Sequence, residues 1–364
     1  MGNKVSIITV CYNSAKTIEQ TILSIIYQTS QNYEYLIIDG GSTDGTLDII
    51  EKYKSAISYF VSEPDQGIYD AMNKGIQISK GNVIAFLNSD DWYSEDTISR
   101  VLDEFENNDV DIVYGDVLIA TGTGVPIRRN AFINETFHHQ MTIFHPATFV
   151  RLDMFDRIGL FDLQFKVAAD YDWLLRAFIG GAKFHHTENV LTNFRYGGVS
   201  VKELDLCTEE TRSICLKWLP ENLKTKFLPL INDEYEKHIN EAAVLRKTKH
   251  LLSENKSLLI DLISDYIKPD ETVYVWGSGI MGMQCLEWLQ AIGVSVKAII
   301  DTDEQKWQYH LDGIEIAGIN ILLSEPHKVI ITPDKFGLAI ARELEDLGLK
   351  DYVFWGDVKR GIIK

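Results

Sequence analysis

The feature that most constrains this chain is an alternation repeated along its first part: apolar β-branched runs, each cut off by polar and glycine-rich residues, then a stretch with helical spacing. Lys4 to Tyr12 (KVSIITVCY) is the near-continuous run expected of a strand buried on both faces. Thr17 to Tyr27 then puts Ile18, Ile22, Ile25 and Ile26 on one helical face. Tyr33 to Ile38 reads as a second strand, Leu47 to Tyr53 as a helix, and Ala56 to Val61 as a third strand. A further helix runs through Ile78, and Val83 to Leu87 is a fourth strand. Strand and helix in strict alternation imply right-handed crossovers and a parallel sheet. Ligands of such sheets bind beyond the carboxyl ends of the strands, so those ends are where chemistry is expected.

Two of these ends carry carboxylates. The fourth strand stops at Asn88-Ser89-Asp90-Asp91-Trp92, with adjacent acids. Hard divalent cations take carboxylate oxygens and keep part of their shell for water and phosphate. The pair therefore suggests a Mn2+ or Mg2+ ion bridging protein and diphosphate. A solvated loop ahead of a helix cap at Ser94-Glu95-Asp96 is the competing reading. The second strand ends in Asp39-Gly40-Gly41-Ser42-Thr43-Asp44-Gly45. Asp39 there can accept hydrogen bonds from a ribose or base, beside glycines that let backbone approach a ligand closely. Asp44 reads as helix-cap chemistry.

Composition narrows the partners. The chain has 364 residues, enough for two domains, and a net charge of −18, which argues against nucleic acid as a general partner. Cys11, Cys207, Cys215 and Cys285 are scattered without metal-ligand spacing and read as reduced thiols of a cytoplasmic protein. The chain enters its first strand with no charged-then-apolar leader, and no stretch reaches the roughly 20 apolar residues of a membrane span. Any membrane contact is thus expected to be peripheral, at the inner face. His138-His139 and His185-His186 lack zinc spacing. His145, fixed in extended backbone by Pro146, is open to a phosphate or acceptor contact and to a structural role.

The segments SIITVCYN, IIDGGSTDGT, SEPDQGIYDAMNKGI and GNVIAFLNSDDWY appear in order, followed by Tyr114-Gly115-Asp116, His145-Pro146-Ala147-Thr148-Phe149 and Ala168-Ala169-Asp170-Tyr171-Asp172-Trp173. Together they resemble family 2 glycosyltransferases of the GT-A fold, an α/β nucleotide-diphosphosugar transferase domain with a mixed, mostly parallel sheet. The similarity spans roughly residues 4 to 200 and is to the bacterial branch that builds O-antigen and other surface polysaccharides. It implies inverting transfer from a nucleotide-sugar, read as a UDP-sugar, to a saccharide or lipid-linked saccharide. It also implies that Thr9, Val10 and Tyr12 border the base and that Asp39 binds uracil or ribose. Asp65, Asn73, Lys74 and Ser89 would belong to the donor site, as would His145 and Arg195. Asp90, with Asp91, would hold the metal, and Asp170 would be the general base with Asp172 as the alternate. Asn88 replaces the first acid of the usual Asp-x-Asp metal motif, and Ala169 stands where an acid often precedes the base. Asp170 and Asp172 are two apart on one helix, so only one can face the site; the other is expected to cap or to pair with Arg176. Arg195 and the glycines of Tyr196-Gly197-Gly198 suggest a loop that folds over the diphosphate and shuts out water.

The chain divides on this reading into a transferase domain at 1–203, a helical linker at 204–268 and a small Rossmann-like α/β domain at 269–364. Pro220 and Pro229 are expected to break the linker into pieces. Lys217 to Leu228 mixes aromatic, aliphatic and basic residues, open to a membrane-surface or a packed-helix reading, and Ile239 to Tyr266 reads as a long helix that joins domains or forms an oligomer contact. Beyond Thr272 to Trp276, Gly277, Gly279 and Gly282 form Gly-x-Gly-x-x-Gly ahead of a helix, and Asp301 ends the next strand. That pattern suggests a site for NAD or another nucleotide, or else a docking module. An oxidoreductase using these glycines, and a nucleotide-sugar sensor with a degenerate transferase site, are the alternatives to an active transferase.

Overall fold

The computed structural model describes residues 2–120, 126–333 and 336–363. They form two compact units, Met1–Ile119 with Arg128–Glu236, and Ala120–Ile127 with Lys237–Lys364. The segment 204–268 is therefore shared: its first part packs with the first unit and its second part with the second.

The first unit alternates as its sequence implies. Strands β1 (Val5–Cys11), β2 (Tyr33–Asp39), β3 (Tyr59–Ser62) and β4 (Val83–Phe86) are separated by helices α1 (Ile18–Ile26), α2 (Thr46–Lys52) and α3 (Ile68–Ile78). The third strand is shorter than expected, because residues 54–56 close a 3-10 turn before it starts. There follow β5 (Trp92–Tyr93), α4 (Thr97–Asn107), β6 (Ile112–Ala120), β7 (Ile127–Arg129), β8 (Thr148–Arg151), α5 (Asp153–Ile158), α6 (Ala169–Ile179), β9 (Phe184–Arg195), α7 (Val199–Lys202) and α8 (Leu204–Trp218). Among the described residues the sheet order is β3-β2-β1-β4-β8-β6-β9-β5.

Register decides where the loops emerge. Cys11 lies opposite Asp39, Asp39 opposite Ser62, and Ile8 opposite Phe86, all in parallel pairs. Four strands thus end on one edge. β8 joins antiparallel to β4, with Phe149 opposite Ala85, so β8 starts where β4 stops. That reversal brings the residues before Thr148 to the same edge. The sheet core is apolar and fully buried, as at Ile7, Ile8, Phe149 and Trp173.

The opposite edge is tied by Glu34. Its carboxylate is 6% exposed and accepts from the Ser6 hydroxyl and from the amides of Lys80 and Gly81, the last at 3.1 Å. Burial raises its pKa, but these donors outweigh burial and hold it below the ordinary value. Gly81 admits this closure because it has no side chain: a Cβ there would lie 2.6 Å from the Lys4 carbonyl oxygen and 2.8 Å from the Ser6 amide.

Helix α9 (Lys224–Glu254) carries the chain from one unit into the next, and Pro229 lies within it. The expected break at Pro229 does not occur. Its missing amide frees only the carbonyl of Thr225, an exposed residue in the first turn, where water can take the bond. Pro220 does follow the end of α8.

The second unit holds α10 (Lys256–Ile263), β10 (Thr272–Trp276), α11 (Ile280–Ile292), β11 (Ser295–Ile300), β12 (His310–Leu311), β13 (Ile314–Ala317), α12 (Ile321–Ser324), β14 (Lys328–Ile331), α13 (Gly337–Asp346), β15 (Tyr352–Phe354) and α14 (Trp355–Ile363). The sheet order is β12-β13-β11-β10-β14-β15, parallel except at the β12–β13 hairpin. Numbered by their own succession, the parallel strands run 3-2-1-4-5, the order of a doubly wound sheet. Gly277, at φ 108°, makes the turn after β10, and a Cβ on Gly282 would sit 1.8 Å from the Gly277 carbonyl oxygen.

Because the contacts around Gly81 are backbone atoms that cannot swing aside, Gly81→Ala is expected to destabilise the first unit by about 1–3 kcal/mol. A urea titration reads this as a lower midpoint; an unchanged midpoint contradicts the close approach.

Candidate active site

The loops at the carboxyl edge are stitched to one another by short polar side chains. Asn13, in the left-handed region at φ 50°, turns the chain after β1. Its amide donates to the Ser42 hydroxyl at 2.7 Å and its side-chain oxygen accepts from the Thr43 amide at 2.9 Å. Ser14 meets the Ser89 hydroxyl at 2.8 Å, joining the end of β1 to the turn after β4. Asp44 accepts from the Thr46 and Ala15 amides, both at 3.1 Å, the cap chemistry its sequence suggests.

Asp39 is consumed by its own loop. It is 0% exposed and accepts from the amides of Gly41 and Ser42, the hydroxyls of Ser42 and Ser62, and the Cys11 thiol. Burial pushes its pKa up, and the Ser42 and Ser62 bonds bring the net value below the ordinary carboxylate range. Such a depressed group contributes stability above pH 3.8 that is lost as the pH falls through its lower folded value. The structure thus gives Asp39 the task of shaping the loop, where sequence suggested direct ligand contact. Asp65 lies over that loop: a Cβ on Gly40 would come within 2.6 Å of its Oδ2, and its Oδ1 accepts from the Gly67 amide at 2.8 Å.

Other expected donor-site residues are likewise engaged inside the protein. Thr9 and Val10 are buried in β1, with the Thr9 hydroxyl 3.2 Å from that of Tyr35. Tyr12, next along, is 64% exposed at the strand end. Asn73 makes a reciprocal clasp with the Phe161 backbone, both bonds 3.0 Å. Lys74 pairs with Glu63 at 2.9 Å and Asp70 at 3.4 Å. Tyr12 and Asp65 thus lie in the loops at the carboxyl edge, Lys74 on α3 pairs with Glu63 just after β3, and Thr9, Val10 and Asn73 are buried in packing positions.

The acidic turn separates its two carboxylates. The Asp91 amide donates to the Asn88 carbonyl at 3.1 Å, closing the turn. Asp91 is 1% exposed, and its oxygens accept from the Arg195 amide at 2.9 Å and from the Asn88 side-chain amide at 3.4 Å. Burial pushes its pKa well up, and the neighbouring Asp90 charge adds to this. Asp91 is therefore taken up in joining β9 to the turn and is not presented to a cation as sequence suggested. Asp90 is half-buried and, apart from its own amide, meets no protein hydrogen-bond donor among the described residues. Burial raises its pKa, opposed by Arg195 and Lys202. Beside it, Asn88 Oδ1 is buried with no hydrogen-bond partner. An open carboxylate and an orphaned amide oxygen in one turn suit a hard oxygen-seeking cation. Among the described residues no cluster of three His, Cys, Asp or Glu side chains forms a metal site, so most of such an ion's shell falls to water and substrate.

Arg195 is pinned beneath this turn. Its Nε donates to the Asp90 carbonyl at 3.1 Å, its terminal nitrogen to Gln20 at 2.7 Å, and its guanidinium lies 5.1 Å over the Trp92 ring. Gly198 brings the following backbone close: a Cβ there would be 3.7 Å from Asp90 Oδ2.

From Phe86, just before the turn, an aromatic contact leads to the second acidic centre. His145 stacks on Phe86 at 5.0 Å and meets Phe161 edge-on at 5.7 Å. Burial pushes the His145 pKa down, and the Asp170 charge acts in the opposite direction. Asp170 opens α6. Its Oδ1 accepts from the Tyr69 hydroxyl and from the Tyr171 amide, both at 2.9 Å, while Oδ2 meets no protein donor among the described residues. Asp172 points the other way, as the two-residue offset requires. It is 0% exposed, pairs with Arg176 at 2.8 Å and accepts from Trp218 Nε1 at 2.7 Å.

Tyr69 and Trp218 carry no local mark of these contacts in sequence. Tyr69 lies inside a quoted motif, but nothing local marks its hydroxyl as a partner of a residue 101 positions away. Trp218 belongs to the stretch open to a membrane reading; it is occupied by Asp172, and nearby Leu219 and Phe227 are buried, leaving Leu228 partly exposed. No helix of the described residues is long and apolar enough to cross a membrane.

In the second unit, Asp301 Oδ2 accepts from the Ser278 amide at 3.2 Å and pairs with Lys306 at 3.1 Å, while Oδ1 accepts from the Asp303 amide at 2.9 Å. The acid that would read a ribose is thus bonded within its own unit. Gly277, Gly279 and Gly282 serve the strand-to-helix turn.

Residues 6–167 match the family described as glycosyl transferase family 2. A PGL/p-HBAD biosynthesis glycosyltransferase of Mycobacterium bovis is 34% identical over 204 residues, covering 54% of this chain and 78% of that protein. Glycosyltransferase AglE of Haloferax volcanii is 28% identical over 198 residues, covering 51% of this chain and 65% of that one. The mannosyltransferase PcManGT from Pyrobaculum calidifontis, solved with GDP-Man and Mn2+, shares the fold at a TM-score of 0.50 and 16% identity, over 68% of this chain and 75% of that one.

The opposed settings of Asp170 and Asp172 predict unequal losses of stability. Asp172→Ala takes the carboxylate from a largely buried guanidinium, which keeps only the Ile158 and Leu160 carbonyls, and is expected to cost about 3–5 kcal/mol. Asp170→Ala is expected to cost less than about 1 kcal/mol, because the Tyr69 hydroxyl keeps the Val167 carbonyl at 2.8 Å as a partner. Thermal unfolding of the two variants checks this, and equal losses contradict it.

Proposed function

The chain belongs to glycosyltransferase family 2, and from that premise we propose that it transfers a sugar with inversion from a UDP-sugar to a hydroxyl of a lipid-linked saccharide, as in surface polysaccharide synthesis. That the protein is a glycosyltransferase follows from the family; the donor, the acceptor and the residue roles are the proposal. The observation that carries it is the pair of half-buried acids, Asp90 and Asp170, each with a carboxylate oxygen free of protein donors, linked through Phe86 and His145.

Asp90, with Asn88 Oδ1, is the proposed seat of a Mg2+ or Mn2+ ion. When bound, such an ion neutralises charge building on the leaving diphosphate. Tyr12, exposed at the end of β1, offers a ring face to the base. Asp39 acts indirectly, holding the loop against which the nucleotide lies. Asp170 takes the proton of the attacking hydroxyl through its open oxygen, while Tyr69 fixes the other oxygen. The hydroxyl oxygen then forms its bond to the anomeric carbon as the bond from that carbon to phosphate breaks, its electron pair leaving with the nucleoside diphosphate. Attack from the opposite face inverts the configuration. Arg195 holds the acidic turn in shape, and the backbone at Gly198 borders the metal seat. Asn73 and Lys74 act as supports of the loops beside the site.

This reading is favoured over a sensor with a degenerate site because Asn88 still supplies an oxygen and Asp170 does not depend on an acid at 169. It is favoured over an oxidoreductase because Asp301 is bonded within its own unit.

Asp170→Asn is expected to lower release of nucleoside diphosphate by roughly 10²–10⁴-fold while Mn2+-dependent donor binding persists. Asp90→Ala is expected to abolish the metal dependence of binding. If Asp172→Asn alone stops turnover in a stable protein, the base is misassigned. Because burial holds the Asp90 pKa above 3.8, protons compete with the cation from a higher pH than for an exposed acid. Mn2+ affinity, followed by titration calorimetry, is therefore expected to weaken as the pH falls through that raised value, by up to about tenfold per pH unit. An affinity flat through this range contradicts the seat.

A further inference from the structure

Helix α8 lies beyond the segment matched to the family, yet two of its side chains grip the helix that carries Asp170 and a third holds the loop before that helix. Trp218 donates to Asp172, the Cys215 sulfur lies 3.4 Å from the Tyr171 hydroxyl, and Glu210 reaches the loop in front of α6. The Glu210 contact is of a different kind from the other two. Its carboxylate is 8% exposed and accepts from three successive backbone amides, Lys166 at 2.7 Å, Val167 at 2.9 Å and Ala168 at 3.0 Å.

Those amides are the donors that a helix start leaves without intrahelical partners or that immediately precede it. Ala168 is the N-cap of α6 and has no side chain able to cap. The amides that a local Ser, Thr or Asp would cap are those of Asp170 and Tyr171; Glu210 instead holds, from another helix, the three amides of the loop that leads into α6. A buried carboxylate on three amides is a strong, charge-assisted arrangement, and it also complements the positive end of the helix. Asp170 is the second helical residue, two positions beyond the last of these amides. The Val167 carbonyl in the same loop accepts from the Tyr69 hydroxyl that also reaches Asp170. The loop held by Glu210 thus sets both the backbone that carries Asp170 and the partner that orients its carboxylate.

We infer that Glu210 is a positioning residue for the transfer reaction, holding the 166–168 loop so that Asp170 meets the acceptor hydroxyl. It touches neither donor nor acceptor. The inference rests on the reading of Asp170 as the base. Misplacement of a reacting group by about 1 Å can cost roughly 10²-fold in rate, and that is the scale expected here.

The test uses the full-length protein with Mn2+ and whichever of UDP-glucose, UDP-N-acetylglucosamine and GDP-mannose releases nucleoside diphosphate fastest, with water as acceptor. Glu210→Gln replaces one amide-accepting oxygen by a donor that repels those amides. Its kcat is expected to fall about 10–100-fold with KM for the donor within about twofold. In an Asp170→Asn background the same change is expected to cost no further rate, since its effect passes through Asp170. Unchanged kcat in Glu210→Gln, a parallel loss of donor affinity, or a full additional loss in the double variant each overturns the inference. If Glu210→Gln does not fold, Glu210→Asp is read by the same criteria. Undiminished kcat in Asp170→Asn itself refutes the base assignment instead, which separates the two failures.

Discussion

The site depends on buried carboxylates whose oxygens are given over to the protein's own donors. Glu34, Asp39, Asp91, Asp172 and Glu210 are each less than a tenth exposed, and each holds amides, hydroxyls, an indole or a guanidinium from a distant part of the chain. A buried charge left alone is costly, so such groups persist only where donors converge on them. Here convergence fixes the loops. Asp39 folds the turn after β2, Asp91 joins the acidic turn to β9, and Glu210 and Asp172 bind α6 to α8. Against that frame, Asp90 and Asp170 keep oxygens open.

This division accounts for how a strongly acidic chain can present a specific acidic site. Two acids adjacent in sequence, Asp90 and Asp91, have opposite fates because the turn points one inward to the Arg195 amide and the other toward the edge. Two acids on one helix, Asp170 and Asp172, diverge because an α-helix turns about 100° per residue. The reversal of β8 against β4 brings His145 onto Phe86, just before the acidic turn, within reach of the Asp170 charge. On the proposed reading, the site is preorganised by strand register first and by buried polar bonds second.

Much of this was legible in the sequence. The β-branched runs and their polar terminators gave the parallel start of the sheet, because periodicity and punctuation are local signals. The same holds for the glycine turn at Gly277 and for the offset between Asp170 and Asp172. What could not be read was which polar residues at the edge turn inward. Asp39, Asn73 and Asp91 look like ligands in sequence, and only the tertiary path of the chain shows that their partners are Ser62, Phe161 and Arg195. Glu210 lies in the stretch read as a helical linker. Nothing near it in sequence announces the 166–168 amides. Pro229 misled for a related reason: a proline's cost depends on whether the freed carbonyl can reach water.

The central claim is that the acidic turn after β4 and Asp170 serve one bound donor. The most direct measurement is a crystal structure of the protein soaked with a UDP-sugar and Mn2+, located by anomalous scattering. The account predicts the ion against the Asp90 carboxylate, between the turn and the diphosphate, with the open oxygen of Asp170 facing the anomeric carbon's far side. An ion seated elsewhere, or a sugar lying away from Asp170, contradicts it.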